Sequence, residues 1–417
     1  MVMVVVPLPH LHSLTVALYF RAGPRFEPPA DSGLSHFLEH MLHRGTAAFP
    51  SAWHLSDAVE RLGSELVAET GRDLCRFALC LSPIQLDEGL ALLAEIFGQP
   101  RFTEVDTERQ VVLEEQQEDY DENGVETAAG DIATAMALGD HPLGGRILGP
   151  PENVERFSVE DLQRHFSRCC GGRNMVLCVA GPVAADAALA SARTHLDALP
   201  PGQALTGEAP VLDQGKAQFR YVENADSQTE VSIVFPGVPA GDPMQAACEA
   251  MLGVLDGGMS SRMHSRLYDD LGLAYSCGAW TETWHDCGLL HLSADTSHSK
   301  VESLIDELLT LLSGLVAAPV SADELAKVRR RFRLQAARRL DDATRLGELY
   351  GGEALYCEPP SLEQRLAAIE GVDAAAIQAV ARRIFRPSAI NVVLVGTLPR
   401  RTVARLKRTI VDWRVSE

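Results

Sequence analysis

Leu14-Thr15-Val16-Ala17-Leu18-Tyr19-Phe20 and Glu230-Val231-Ser232-Ile233-Val234-Phe235 read as one β-strand written twice in the same chain, and that duplication decides the fold. Each is rich in apolar and β-branched residues and leads into a Pro/Gly turn and then a helical stretch. The correspondence continues downstream. Ser158 to Phe166, with Ser158 in the capping place, precedes the strand Asn174 to Gly181; Asp373 to Phe385, with Asp373 in the capping place, precedes Asn391 to Gly396. Between the copies, Leu199-Pro200-Pro201-Gly202 through Gly207-Glu208-Ala209-Pro210 is rich in Pro and Gly and has no periodicity, as an inter-domain linker does. The expected organisation is a domain at 1–200, a linker at 201–215 and a homologous domain at 216–417.

Strands alternate with amphipathic helices, such as 301–312 and 322–340, and also occur in adjacent pairs, as at 66–68 and 75–81. This predicts an α+β class, an α/β sandwich in which each half is a mixed, mainly antiparallel sheet with helices packed on it.

Composition narrows the functions. With 417 residues, 46% hydrophobic and 23% charged, the chain has the makings of a folded core. Its 57 acidic and 37 basic residues give 37 − 57 = −20, a field that disfavours nucleic acid and anionic membrane surfaces and favours basic or neutral ligands. The nine cysteines are scattered and never spaced Cys-x-x-Cys, which points to reduced thiols and a cytoplasmic location. Val2 to Val6 is cut short by Pro7 and has no basic residue ahead of it, so it reads as a strand rather than a signal peptide. No run approaches the roughly 20 apolar residues of a membrane span. No glycine-rich phosphate loop follows a strand, which disfavours nucleotide chemistry.

The sharpest local signal is His36-Phe37-Leu38-Glu39-His40 within Ser32 to Leu42, a helical stretch that Ser32 is placed to cap. Positions i and i+4 share a helix face, so both imidazoles can grip one ion, while Glu39 lies where a carboxylate can deprotonate water. This is the inverted zinc-protease spacing. Burying two imidazoles and a carboxylate on a helix otherwise made of Leu34, Phe37, Leu38, Met41 and Leu42 is costly without a cation. A zinc site needs a third protein ligand. The helical stretch Glu104 to Glu118 carries Glu108, Val111, Val112 and Glu115 along one stripe, and Glu114 points roughly 100° from Glu115. Spacing does not choose between Glu114 and Glu115. His43 reads as a neighbour of the site rather than a ligand.

Gly33 to Thr46 resembles the zinc-site signature of the pitrilysin, insulin-degrading enzyme and mitochondrial processing peptidase superfamily, and Thr107 to Glu115 resembles the segment that carries its third ligand. His141 to Gly149 and Ser260 to Ser276 are also similar to family stretches. The resemblance implies Zn²⁺ held by His36, His40 and Glu115, with Glu39 as general base, Glu108 as supporting carboxylate and Tyr275 binding substrate and the oxyanion. It further implies a zinc metalloendopeptidase that hydrolyses short or unfolded peptides in a chamber formed by two chains, as a homodimer or a heterodimer with a related chain. The helix near 246–255 has no histidine, so the second half carries no metal site. Two positions depart from the family pattern: Tyr268 stands where an arginine usually precedes the tyrosine by seven residues, and Val67-Ala68 replaces Asn-Ala. The alternative role is a structural subunit that completes a partner's chamber.

Overall fold

The computed structural model describes residues 1–415. Contacts divide the chain into two compact units, the first made of Met1–Glu118, His141–Glu208 and Ala337–Pro359, the second of Asp119–Asp140, Ala209–Ala336 and the chain from Pro360 onward. The switch at 208/209 falls within 201–215, the stretch expected to be a linker, whereas 119–140 and 337–359 each belong to the unit of the other half.

The first unit contains β1 (Val2–Pro7), β2 (Leu14–Phe20), β3 (Val67–Thr70), β4 (Cys75–Leu81) and β5 (Met175–Gly181), in the sheet order β1-β5-β2-β4-β3. β1 runs parallel to β5, and the other three pairings are antiparallel. Its helices are α1 (Leu34–Leu42), α2 (Ala52–Arg61), α3 (Leu86–Gly98), α4 (Val105–Gln116), α6 (Pro151–Val154), α7 (Val159–Cys169), α8 (Ala185–Leu196) and α12 (Ala343–Gly351). The second unit repeats the topology with β6 (Gln218–Glu223), β7 (Thr229–Pro236), β8 (Ser276–Thr283), β9 (Gly288–Thr296) and β10 (Asn391–Gly396), in the order β6-β10-β7-β9-β8. Again the edge pair β6–β10 is parallel and the rest are antiparallel. It holds α5 (Ala129–Leu138), α9 (Gln245–Asp256), α10 (Val301–Ala317), most of α11 (Ala322–Leu340), α13 (Leu362–Gly371), α14 (Ala374–Ile384) and α15 (Arg400–Asp412). Ser158 and Asp373 do cap α7 and α14 through their side chains.

The central strands are buried on both faces. Leu14, Val16, Leu18 and Phe20 of β2 enter the main core beneath the α-helices, while Ala17 and Tyr19 face a smaller cluster with Ala78, Val176 and Leu355. A strand that is apolar on both sides needs cover on both sides. Here α12 supplies the second layer over β2 and β5, although it comes from the other half of the sequence. Gly351 makes the close approach possible: a Cβ there would lie 2.1 Å from the Tyr19 ring. In the second unit α5 plays the same part over β7 and β10, with Ala129, Ile132, Ala133 and Ala137 buried. No single helix among the described residues is long and apolar enough to cross a membrane.

Candidate metal centre

α1 is short, and its start is not held by Ser32. Gly33 occupies the cap position in the left-handed region at φ 93° and offers no side chain. The first-turn amides are satisfied from a distance instead: the buried Glu27 carboxylate accepts from Gly33 N–H at 2.9 Å and from Ser35 N–H at 2.6 Å. Burial nonetheless pushes the Glu27 pKa up to about 7, against the hydrogen bonds from Ser35 and Gly33 and the nearby Arg168 charge. Ser35 Oγ accepts from Gly23 N–H at 2.7 Å and meets His165 Nε2 at 2.9 Å. A serine cap is excluded by packing, because Gly33 lies against Leu148 and Gly149 so closely that a Cβ would meet the Leu148 carbonyl at 2.6 Å. The amide of Gln116, at the end of α4, donates to the Leu148 and Gly149 carbonyls at 2.7 and 3.0 Å. The loop at 148–149 thereby sets α1 and α4 in register.

That register brings His36, His40 and Glu115 together, with one potential ligand atom from each lying within 4.8 Å of the others. The two imidazole rings are 4.6 Å apart. Glu115 Oε1 is 3.6 Å from His36 Nε2, and Glu115 Oε2 is 3.4 Å from His40 Nε2. Those separations are long for a strong hydrogen bond. They fit donors sharing a cation, since two atoms each about 2.0–2.1 Å from a tetrahedral zinc stand roughly 3.4 Å apart. Burial, with the His40 charge adding to it, depresses the His36 pKa to about 3, so this ring stays neutral, as a ligand must. The donor set therefore fits zinc. Glu114, the alternative left open by spacing, is exposed and outside the cluster.

His40 is oriented from behind. Its Nδ1–H donates to Glu108 Oε1 at 2.7 Å, which leaves Nε2 for the cluster. The other Glu108 oxygen is held by the Arg44 guanidinium, which also reaches Glu104 at 3.5 Å. Burial disfavours charge on His40, but the Glu108 hydrogen bond and the charges of Glu108, Glu115 and Glu39 outweigh it and raise its pKa. Glu108 itself, although buried, is held below the ordinary carboxylate range by His40 and Arg44. Gln116 carries no motif, and Arg44, although inside the stretch Gly33 to Thr46, is given no role by spacing; contact across helices reveals both.

Glu39 shares the helix with both histidines and accepts from Thr70 Oγ1 at 2.5 Å. Its pKa is raised, chiefly by burial, with Glu115 and Glu69 adding to the effect. Thr70 closes β3, whose outer edge no strand pairs with among the described residues, so the Glu39 carboxylate sits beside an open sheet edge that begins at the exposed Val67. His43 stacks on Phe77, with centroids 5.5 Å apart, and burial lowers its pKa to about 4; it is not in the ligand cluster. Tyr275 lies in the second unit, exposed just before β8, where its N–H donates to Asp295 O at 2.8 Å. Tyr268 is exposed in the π-helical turn 264–270. Arg262 and Arg266 are engaged by Glu324 and Glu307, each at 2.7 Å.

Comparison with known proteins gives a consistent picture. Residues 2–151 match the family profile described as insulinase (peptidase family M16), and residues 156–332 match the one described as peptidase M16 inactive domain. A protein of Rickettsia bellii described as an uncharacterized zinc protease is 27% identical over 93% of each chain. One from Streptomyces coelicolor, described in the same words, is 27% identical over 96% of this chain and 88% of its own. Among solved structures, a protease from Helicobacter pylori superposes with TM-score 0.88 at 22% identity, covering 94% of this chain and 96% of that one. A peptidase M16 inactive domain structure from Pseudomonas fluorescens gives TM-score 0.85 at 20% identity, covering 95% of both chains.

Proposed function

Given that the chain belongs to the M16 family of zinc peptidases, we propose that it is a zinc-dependent endopeptidase acting on short or unfolded peptides. The observation that carries this reading is the convergence of His36, His40 and Glu115, with Glu39 beside them and Glu108 behind His40. His36, His40 and Glu115 would hold the ion, and zinc there supplies Lewis acidity that polarises a carbonyl and eases deprotonation of water. Glu39 takes the proton from the attacking water and delivers it to the leaving amine, a task suited to a carboxylate whose pKa burial has raised. Glu108 keeps His40 in one tautomer and orientation. A peptide adds to the open edge of β3 through its main chain, which makes specificity loose. Tyr275 donates to the oxyanion when a second chain presents it, so two chains enclose the working site. The −20 charge steers basic peptides toward the enzyme; equal salt dependence for basic and acidic peptides of the same length would contradict this. None of the nine cysteines is in a disulfide, which supports a reducing cytoplasm.

The test is zinc content and cleavage of an unstructured peptide by the purified chain. Glu39→Gln is expected to keep zinc and lose about 10²–10⁴-fold in turnover, whereas His40→Ala loses both. Undiminished turnover by Glu39→Gln would remove it as the general base. A second reading, a subunit that needs a related partner, is favoured by Tyr268 standing where the family pattern has arginine. A chain that binds zinc yet cleaves only when mixed with such a partner would establish it.

A further inference from the structure

In the second unit a cleft of about 930 Å³ opens along the free edge of β6, between the end of α5 and α15. Four of its lining residues are Lys216, Arg220, Lys407 and Arg414; none is acidic, and none of the four pairs with a carboxylate among the described residues. That is unusual in a chain of net charge −20, and the surplus is local: Arg400 to Arg414 holds six bases against one acid, Asp412.

The cations sit on both faces of the edge. Gln218 and Arg220 share one face of β6, Lys216 lies in the bend just before it, and the Gln218 amide donates to the Met136 carbonyl of α5 at 3.2 Å. Phe219 and Tyr221 point the other way and pack on the core that contains Leu406 and Ile410 of α15, from which Lys407 projects, with Arg414 just beyond the helix. The main chain between them is available. Gln218 N–H donates to Ile390 O at 2.9 Å and Asn224 N–H to Gly396 O at 3.2 Å, so the even-numbered residues turn toward β10. Phe219 and Tyr221 therefore turn their N–H and C=O groups outward, where no strand pairs with them among the described residues.

We propose that this edge docks an acidic, extended peptide segment, which adds to β6 as a further strand and sets its carboxylates among cations on alternate faces. The ladder supplies affinity, and the four cations select for acidic side chains. The site is separate from the peptidase reading and does not depend on it.

The test uses the full chain and a fluorescent octapeptide of the repeat Glu-Glu-Val-Thr, which puts carboxylates on both faces of an added strand, read by anisotropy with a chelator present so that nothing is cleaved. A second peptide of equal charge carries N-methyl groups on all its backbone amides, so neither of its edges can donate to the ladder. The unmethylated peptide is expected to bind and the methylated one to bind at least about tenfold more weakly. Lys216→Glu/Arg220→Glu and, separately, Lys407→Glu/Arg414→Glu are each expected to weaken binding about tenfold or more. All four side chains are exposed, so neither pair threatens the fold. Equal binding of the two peptides overturns the proposal, as does binding unchanged in both double variants. If tripolyphosphate or a short oligonucleotide competes as strongly as the peptide, the edge reads charge alone and strand addition is wrong.

Discussion

Replacing Glu108 by alanine isolates what the carboxylate behind His40 contributes. Glu108 is 6% exposed, and one oxygen accepts from His40 Nδ1 at 2.7 Å while the other meets Arg44. A hydrogen bond between charged or polarised partners contributes about 1.5–3 kcal/mol. Removing it frees the His40 ring to rotate and to carry its proton on either nitrogen, so part of the metal-binding energy goes into re-ordering the ligand. The equivalent loss in zinc affinity is about 10–100-fold, the range found when groups supporting a metal-bound histidine are removed. Glu108→Gln keeps an acceptor for Nδ1–H but must turn its NH₂ toward Arg44, and about tenfold is expected. The assay is competition for zinc against a chromophoric chelator at neutral pH, with urea unfolding of each variant as a control for folding. Zinc affinity in Glu108→Ala within twofold of the parent, with folding intact, would refute the orienting role.

Three other outcomes follow from particular contacts. Glu115→Ala should cost zinc binding at least about 100-fold while Glu114→Ala leaves it unchanged, because only Glu115 reaches both histidines; the same chelator competition checks this. Gly351→Ala should destabilise by about 1–3 kcal/mol, since its methyl would meet the Tyr19 ring at 2.1 Å, whereas Gly347→Ala, 3.7 Å from Ala180, should be neutral or slightly stabilising in denaturant unfolding. Glu230 stands opposite Asp295 in the β7–β9 register, and burial, with Asp295 and Asp226, lifts its pKa to about 7. The folded state then holds the proton more tightly than the unfolded one, so stability falls as pH rises from about 4.5 to about 7. Glu230→Gln should recover about 1 kcal/mol at about pH 8, after discounting for partial exposure, and little near pH 4.5; a Tm gain independent of pH would contradict the assignment.

The chain's own order of residues determined the duplicated strands, the caps Ser158 and Asp373, and the pairing of His36 with His40 on one helix face. Each of these depends on spacing within one element, and the periods of strand and helix are properties of the backbone. Tertiary structure decided the rest. Glu114 and Glu115 are neighbours with equal claims until α4 is set against α1, and that crossing is fixed by Gln116, Gly149 and Gly33, which bear no metal chemistry. Ser32 had the right residue type for a cap, but the glycine needed for close packing took the position and a buried glutamate six residues earlier took the work. The central strands read as apolar on both faces, yet nothing local says what covers the second face. The cover is a helix from the other half of the sequence in each unit, because a strand apolar on both faces needs cover on both, and short-range pattern carries no record of which distant segment supplies it.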